Sequence, residues 1–395
     1  MDRNETTDLL ESLELATPAF VIDAKTLLGN LTTARDMVCD GQSRLLFALK
    51  AFSVVAGLDY IANHVDGFAA SSLNEVRLAR AVSFGNQTTH VTTPGLRPDE
   101  IVPLCELADY VSFNSISQWQ RFRSVARGRV NCGLRVNPQL SWVADPRYDP
   151  CRKSSKLGVP LDELRLLVQK DSQELRGING IHFHTNCDSL DLAPLLATVD
   201  HLLGEIGPLF ECIQWINLGG GYLFDQIAKR DALQALRSKL SERGSFELFM
   251  EPGAAIARNA GYIVSTVIDL FTSEGSWVAV LDTSTNHMPE VFEYQLRPDV
   301  VGDAPSGEHA YLLAGSTCLA GDVFGEYRFD APLAVGARVI IPDRGAYSVV
   351  KSNMFNGINL PTVYVLSERG ALEEIKHYGF EDFLSLCGAS NVKEL

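Results

Sequence analysis

LLFALKAFSVVAGLDYIANHVDGFAASSLNEVRLARAVSFGNQTTHVTT, residues 45–93, carries the fold in miniature. Three runs within it, Leu45 to Leu49, Gly67 to Ala70 and Thr89 to Thr93, are apolar or β-branched and too short for helices. Between the second and third, LNEVRLARAV (73–82) repeats apolar residues three or four apart, the spacing of a helix that buries one face. Strand, helix, strand is the unit of a parallel sheet, because parallel neighbours need a long crossover. The pattern continues outward with YVSF (110–113), VNCGLRV (130–136), IHFH (181–184), WINL (215–218) and FELFM (246–250) as strands. Leu192 to Ile206 and Phe224 to Leu240 read as further crossover helices. Eight strands in this alternation predict an α/β fold built on a (β/α)8 TIM-type barrel. A doubly wound dinucleotide fold would want an early GxGxxG, which is missing.

Beyond Ala260 the texture changes to GYIVSTVIDLF, SWVAVLDTS, AYLLAG, ARVIIPD and PTVYVL, separated by turn residues. A barrel domain over 25–262 and a C-terminal all-β domain over 263–395 are expected. The N-terminal segment 1–24 carries the strand PAFVID, which precedes a helix (Lys25 to Val38) and is free to join the β domain in space. The 395 residues are 46% hydrophobic and 21% charged, which excludes disordered and fibrous classes. Forty-nine acidic against 34 basic side chains give a net charge of −15, opposite to the footprint of a nucleic-acid binder. No apolar run is long enough to cross a membrane, and MDRNETTDLLESLEL lacks a signal-peptide pattern, so no membrane partner and a cytoplasmic location are expected. The eight cysteines (39, 105, 132, 151, 187, 212, 318 and 387) show no CxxC or zinc spacing, so most read as reduced core residues and no metal is expected.

Catalytic groups of such barrels gather at the C-terminal ends of the strands. Lys50 follows the first strand, where desolvation favours the neutral amine needed for a Schiff base, although a snorkelling lysine at a strand end has the same appearance. Ser71, Ser72 and Glu75 follow the second strand, Arg135 and Asn137 lie at the fifth, and His184 at the sixth. Gly219, Gly220 and Gly221 follow the seventh, and Glu251, Pro252 and Gly253 the eighth. Glycines in the late loops expose backbone N–H groups where this fold holds phosphate, and they equally serve as plain turn residues. Glu251 suits the side of a pyridine nitrogen or an ordinary ion pair. His184 suits the face of a flat cofactor or a hydrogen-bonded place in the core, with His182 on the same side of the strand ranked below it.

Taken together, ALKAF, ASSLNE, LRVNP, HFHT, GGG, EPG, TCLAGD and GAYSVVKSNMFNGINLP resemble the alanine-racemase-like, fold-type III pyridoxal-phosphate decarboxylases, which include ornithine decarboxylase. The motifs YDPC, SSKLGV, HMPEV, STCLAGDVFG and FNGINLP resemble most its carboxynorspermidine-decarboxylating branch, and the likeness runs from TPAFVID to LPTVYVL. The resemblance implies pyridoxal 5'-phosphate as cofactor, a homodimer with shared active sites, and removal of the α-carboxylate of a small amine, carboxynorspermidine or carboxyspermidine, in polyamine biosynthesis. It implies that Lys50 bonds the cofactor, His184 stacks on the ring, Glu251 pairs with the ring nitrogen and Arg135 supports the Glu251 side. Gly219, Gly220, Gly221, Gly253 and Tyr347 are then the phosphate ligands. Cys318 is the acid that returns a proton to carbon from the partner subunit, and Asp322 lies in the same loop. Glu290, where the family usually has aspartate, is then placed to bind a distal ammonium, with Asp322 as a further substrate contact; His287 and Asp188 are candidates to line the same pocket, although Asp188 reads more simply as an exposed loop residue. Glu290, Ser316 and the form HFHTNCDS depart from the family pattern. Those departures leave room for a pathway-specialised decarboxylase of a 3-amino-3-carboxypropyl group on another scaffold, or of another basic amino acid. A non-catalytic homologue that keeps the cofactor as a regulator is the rival outside enzymes.

Overall fold

The computed structural model describes residues 3–38, 43–170, 173–227 and 231–389. Two compact units divide the chain: one comprises Asn30–Lys50 and Leu58–Ile256, the other Met1–Gly29, Ala51–Gly57 and Ala257–Leu395. In chain order, β1 (Ala19–Asp23) belongs to the second unit. The first unit holds β2 (Ser43–Ala48), β3 (Gly67–Ala70), β4 (Thr88–Thr93), β5 (Tyr110–Phe113), β6 (Asn131–Asn137) and the two-residue β7 (Val159–Pro160). It continues with β8 (Gly180–His182), β9 (Trp215–Asn217) and β10 (Glu247–Met250).

Omitting β7, which pairs only with β6, these strands run parallel in the order 2-3-4-5-6-8-9-10 and close where β10 meets β2 through Met250 and Leu45. All eight strands read from the sequence are present, and the structure is a (β/α)8 barrel. The floor is plugged by Leu46, Tyr110, Trp215 and Phe249, with His90 stacked on Tyr110 at 4.2 Å between ring centroids. Trp215 fits there because β8 opens with glycine: a Cβ at Gly180 would stand 2.0 Å from the indole. At the same end the Tyr110 hydroxyl donates to Glu247, which pairs with Arg44. The mouth is left for chemistry.

Two expectations need correction. The sixth strand ends at His182, where pairing with Asn217 stops, so His184 stands in the loop beyond it. The stretch Phe224 to Leu240 is a 3-10 turn (Phe224–Gln226) followed by a helix (Asp231–Ser241), with residues 228–230 outside the described residues. The helix read over Leu192 to Ile206 runs over Ala193–Phe210 and kinks at Ile206, since Pro208 cannot continue the backbone ladder.

In the second unit the remaining strands are β11 (Gly261–Ser273), β12 (Ser276–Leu281), β13 (His309–Ala314), β14 (Val323–Phe329), β15 (Arg338–Ile341), β16 (Thr362–Leu366) and β17 (Leu372–Lys376). They form a sheet of order 14-13-12-11-1-16-17, with β15 also on β11. β1 is parallel to β16 and antiparallel to β11, all five of its residues are buried, and Val21, Tyr262, Val264 and Leu366 share its core. Among the described residues no helix is long and apolar enough to cross a membrane, and no three potential metal ligands gather. Of the seven described cysteines, Cys105, Cys132 and Cys151 are buried, whereas Cys212, Cys318 and Cys387 are exposed and Cys187 lies between. The reading of most cysteines as core is therefore too broad, and Cys39 lies outside the described residues.

Candidate active site

Lys50 sits in a short 3-10 turn, Leu49–Ala51, directly after β2, and the Ala48 N–H donates to the carbonyl of Pro252, tying that strand end to the EPG loop. The side chain enters a cleft at the barrel mouth lined by Ala70, Ser71, Arg135, His182, His184 and Glu251. Solvent reaches Lys50 through the mouth, but protein crowds it on the other sides. That crowding, then the charge of Arg135, pushes its pKa below the usual 10.5, against the pull of Glu251. Small side chains at 48, 69, 70 and 71 keep the space open.

Ser72 caps the helix Leu73–Val82 with its hydroxyl, and the Glu75 carboxylate turns back to accept the Ser71 N–H at 2.6 Å. Burial raises the Glu75 pKa while Lys50 pulls it down. Arg135 projects from β6, 9% exposed, with no hydrogen-bond acceptor or carboxylate in salt-bridge reach among the described residues. Burial lowers its pKa and Glu251 opposes that. A buried guanidinium with its donors unspent is costly unless something anionic or polar comes to meet it.

The late loops are held together closely. His184 Nδ1 accepts the Gly220 N–H at 3.0 Å, so its proton is on Nε2, in keeping with a pKa that burial, then Lys50 and Arg135, hold well below 6.5. Glu251 accepts from Asn217 Nδ2 at 2.5 Å and lies 3.7 Å from His182 Nε2, while His182 Nδ1 is 3.3 Å from Thr92 Oγ1. Burial is the main reason the Glu251 pKa rises, with Lys50, Asn217 and Arg135 acting the other way. All three glycines are required by space: a Cβ at Gly219, Gly220 or Gly221 would come within 2.4, 2.2 or 2.2 Å of the carbonyl oxygens of Phe183, Glu251 and Asn186. Gly219 and Gly221 also have φ of +69° and +93°. The N–H of Gly219 is already spent on Asn217 Oδ1, and that of Gly220 on His184. Gly221 and Gly253 have no acceptor for theirs among the described residues, so the expectation that all four glycines offer free donors narrows to these two.

The other residues singled out by sequence belong to the second unit. Asp322, 2% exposed, accepts from Ser284 Oγ, from the N–H and Oγ1 of Thr285, and from the N–H and Oγ1 of Thr317, at 2.5 to 3.1 Å. This geometry makes it a clamp between two loops in place of the substrate contact expected of it, because its lone pairs are taken. His287 is fully buried, its Nδ1 2.9 Å from Thr283 Oγ1, and burial lowers its pKa to about 4. Glu290 is half-buried at the start of the short helix Glu290–Tyr294. Cys318 is exposed, and its N–H donates to Asn356 Oδ1 at 2.8 Å, with Asn356 at φ +57°. The three motifs TSTNHMPE, STCLAGD and FNGIN thus form one hydrogen-bonded cluster. Tyr347 has φ +56° and donates its N–H to the carbonyl of Ala51, the residue that follows Lys50 in the chain. Asp188 is exposed on its loop. Sequence reasoning missed Asn217, Thr92 and Asn356; for Asn217 the signal was its place at a strand end just ahead of GGG.

Residues 29–258 match the family model described as pyridoxal-dependent decarboxylase, pyridoxal binding domain. The chain is 37% identical over 382 residues to the carboxyaminopropylagmatine decarboxylase of Synechocystis sp., covering 95% of this chain and 96% of that protein. It is 33% identical over 373 residues to the carboxynorspermidine/carboxyspermidine decarboxylase of Herminiimonas arsenicoxydans, covering 94% and 99%. Its structure resembles that of the carboxynorspermidine decarboxylase of Campylobacter jejuni complexed with norspermidine, with a TM-score of 0.84 at 28% identity over 95% of this chain and all of that one. A family model spanning the whole barrel, with relatives above 30% identity along nearly the full length, makes this chain a member of the pyridoxal-dependent decarboxylases.

Proposed function

We propose that this protein uses pyridoxal 5'-phosphate to remove the α-carboxylate of a polyamine precursor that carries a 3-amino-3-carboxypropyl group, carboxynorspermidine or carboxyspermidine in the first instance. One observation carries the reading: Lys50, the unpaired Arg135 and the buried Glu251 converge on a single cleft. The residues fit the cofactor. Two unspent backbone donors at Gly221 and Gly253 suit its phosphate, and an unpaired guanidinium and a buried carboxylate suit its ring.

When bound, pyridoxal phosphate supplies a sink for the electron pair left as carbon dioxide departs. The chain's own residues prepare for this. Lys50 offers an amine that gives up its proton more readily than an ordinary lysine, and it is the residue that would hold the cofactor. Glu251, oriented by Asn217, holds a proton at the ring nitrogen. His184, fixed by Gly220, lays its ring face alongside, and Arg135 supports the Glu251 side. Gly221 and Gly253 would hold the phosphate. Cys318, exposed on a loop anchored by Asn356 and Asp322, returns the proton to carbon, in a homodimer where each subunit supplies this loop to its partner. Glu290 meets the distal cation of the substrate.

A second reading is favoured by the 37% identity to a carboxyaminopropylagmatine decarboxylase: the same aminocarboxypropyl head on a scaffold that ends in guanidinium. A panel of carboxynorspermidine, carboxyspermidine, carboxyaminopropylagmatine, diaminopimelate, ornithine and arginine, scored by carbon dioxide release, decides. The highest kcat/KM on a carboxypolyamine upholds the first reading, the agmatine derivative in the lead replaces it with the second, and turnover of diaminopimelate, ornithine or arginine alone refutes both.

A further inference from the structure

Asn217 closes β9, is 1% exposed, and has its side chain engaged at both ends. Nδ2 donates to Oε1 of Glu251 at 2.5 Å, and Oδ1 accepts the N–H of Gly219 at 2.9 Å. Only one orientation of the amide serves both partners, because a carboxylate takes a donor and a backbone N–H takes an acceptor. The Glu251 N–H donates in turn to the Gly219 carbonyl at 2.8 Å, so Asn217, Gly219 and Glu251 form a closed circuit joining the glycine loop to the EPG loop. Among the described residues no other neighbour does this. His182 Nε2 is beyond hydrogen-bond reach of Glu251 at 3.7 Å, while Lys50 and Arg135 act on that carboxylate through charge.

We propose that Asn217 is the positioning residue that couples the two ends of the cofactor cleft, aiming Glu251 at the ring nitrogen while it sets the glycine loop for the phosphate. This rests on the pyridoxal-phosphate reading above. The physical argument lies in what each end opposes. Burial alone drives Glu251 toward its neutral form, which cannot hold a proton at a pyridine nitrogen, and the amide donor works against that drift. At the other end, Gly219 is held at φ +69° with its N–H facing inward, and loss of the acceptor would leave that buried donor unmet.

Two substitutions separate the ends. Asn217→Asp keeps an acceptor for Gly219 but sets one carboxylate against another, so the pair holds one proton and one negative charge between them and Glu251 no longer keeps a full charge for the ring nitrogen. Asn217→Ala removes both contacts. Each variant, checked for folding by circular dichroism, is loaded with pyridoxal phosphate labelled with nitrogen-15 at the ring. The nitrogen chemical shift reads protonation, and cofactor affinity is measured separately by titrating the apoprotein. Asn217→Asp is expected to bind within about threefold of the parent, to move the shift toward unprotonated pyridine, and to lose about 100-fold in kcat with KM little changed. Asn217→Ala is expected to lose in addition about tenfold in affinity. A parental shift and kcat in Asn217→Asp, or equal affinity losses in both variants, overturns the coupling. A parent protein that takes up no pyridoxal phosphate instead overturns the reading beneath it.

Discussion

The ammonium of a free lysine keeps its proton to about pH 10.5, but Lys50 is crowded by protein and faces Arg135, and both favour the neutral amine. Reactivity here comes from the neighbourhood. Removing Arg135 takes away the second of these causes and leaves the attraction of Glu251 unopposed, so Arg135→Met should raise the Lys50 pKa toward 10.5. The sign for stability follows. With its pKa depressed on folding, Lys50 binds fewer protons in the folded chain than in the unfolded chain between the two values, so the apoprotein gains stability as pH rises through that window. In Arg135→Met the window narrows from its lower edge. Amine labelling of apoprotein Lys50 across pH measures the midpoint directly; a midpoint that stays or falls contradicts the assignment. At this scale much was legible, since Lys50, Arg135 and Glu251 lie at or next to strand ends, and His184 just beyond one, within recognisable motifs. Asn217 was not, because an asparagine in a strand reads as a poor strand former until its two partners, from distant loops, are seen.

At the scale of elements, the eight barrel strands were legible because each is a short apolar run between helical periods, and closure needs no more than that count. Where a strand stops was less legible. Phe183 and His184 continue the apolar pattern of β8, and only the end of pairing at His182 shows that His184 belongs to the loop. The role of Asp322 was not legible at all. A carboxylate next to a motif cysteine suggests a ligand, whereas the structure surrounds it with donors from Ser284, Thr285 and Thr317. Asp322→Ala should therefore cost about 3 kcal/mol of stability or more, because several buried donors lose their acceptor together. Urea unfolding of the variant measures that loss. Unchanged stability with a sharply higher KM would restore Asp322 as a substrate contact.

Across the whole molecule, the sequence pattern announced a barrel followed by β structure, and the motifs announced the chemistry. It did not announce that TSTNHMPE, TCLAGD and FNGIN would be hydrogen-bonded into one cluster, for those contacts join segments far apart in sequence that share no periodicity. The acidic balance of the chain has no counterpart in the cleft, where Lys50 and Arg135 outnumber the single buried carboxylate of Glu251. Such a local excess of positive charge suits a phosphorylated cofactor and an α-carboxylate. Everything proposed for the reaction depends on one covalent link, between vitamin B6 and the Lys50 nitrogen. Its most direct test is borohydride reduction of the protein loaded with pyridoxal phosphate, followed by proteolysis and mass spectrometry. The account predicts a pyridoxyl adduct on the peptide containing Lys50 and its absence in Lys50→Ala; an adduct on another lysine, or none, would contradict it.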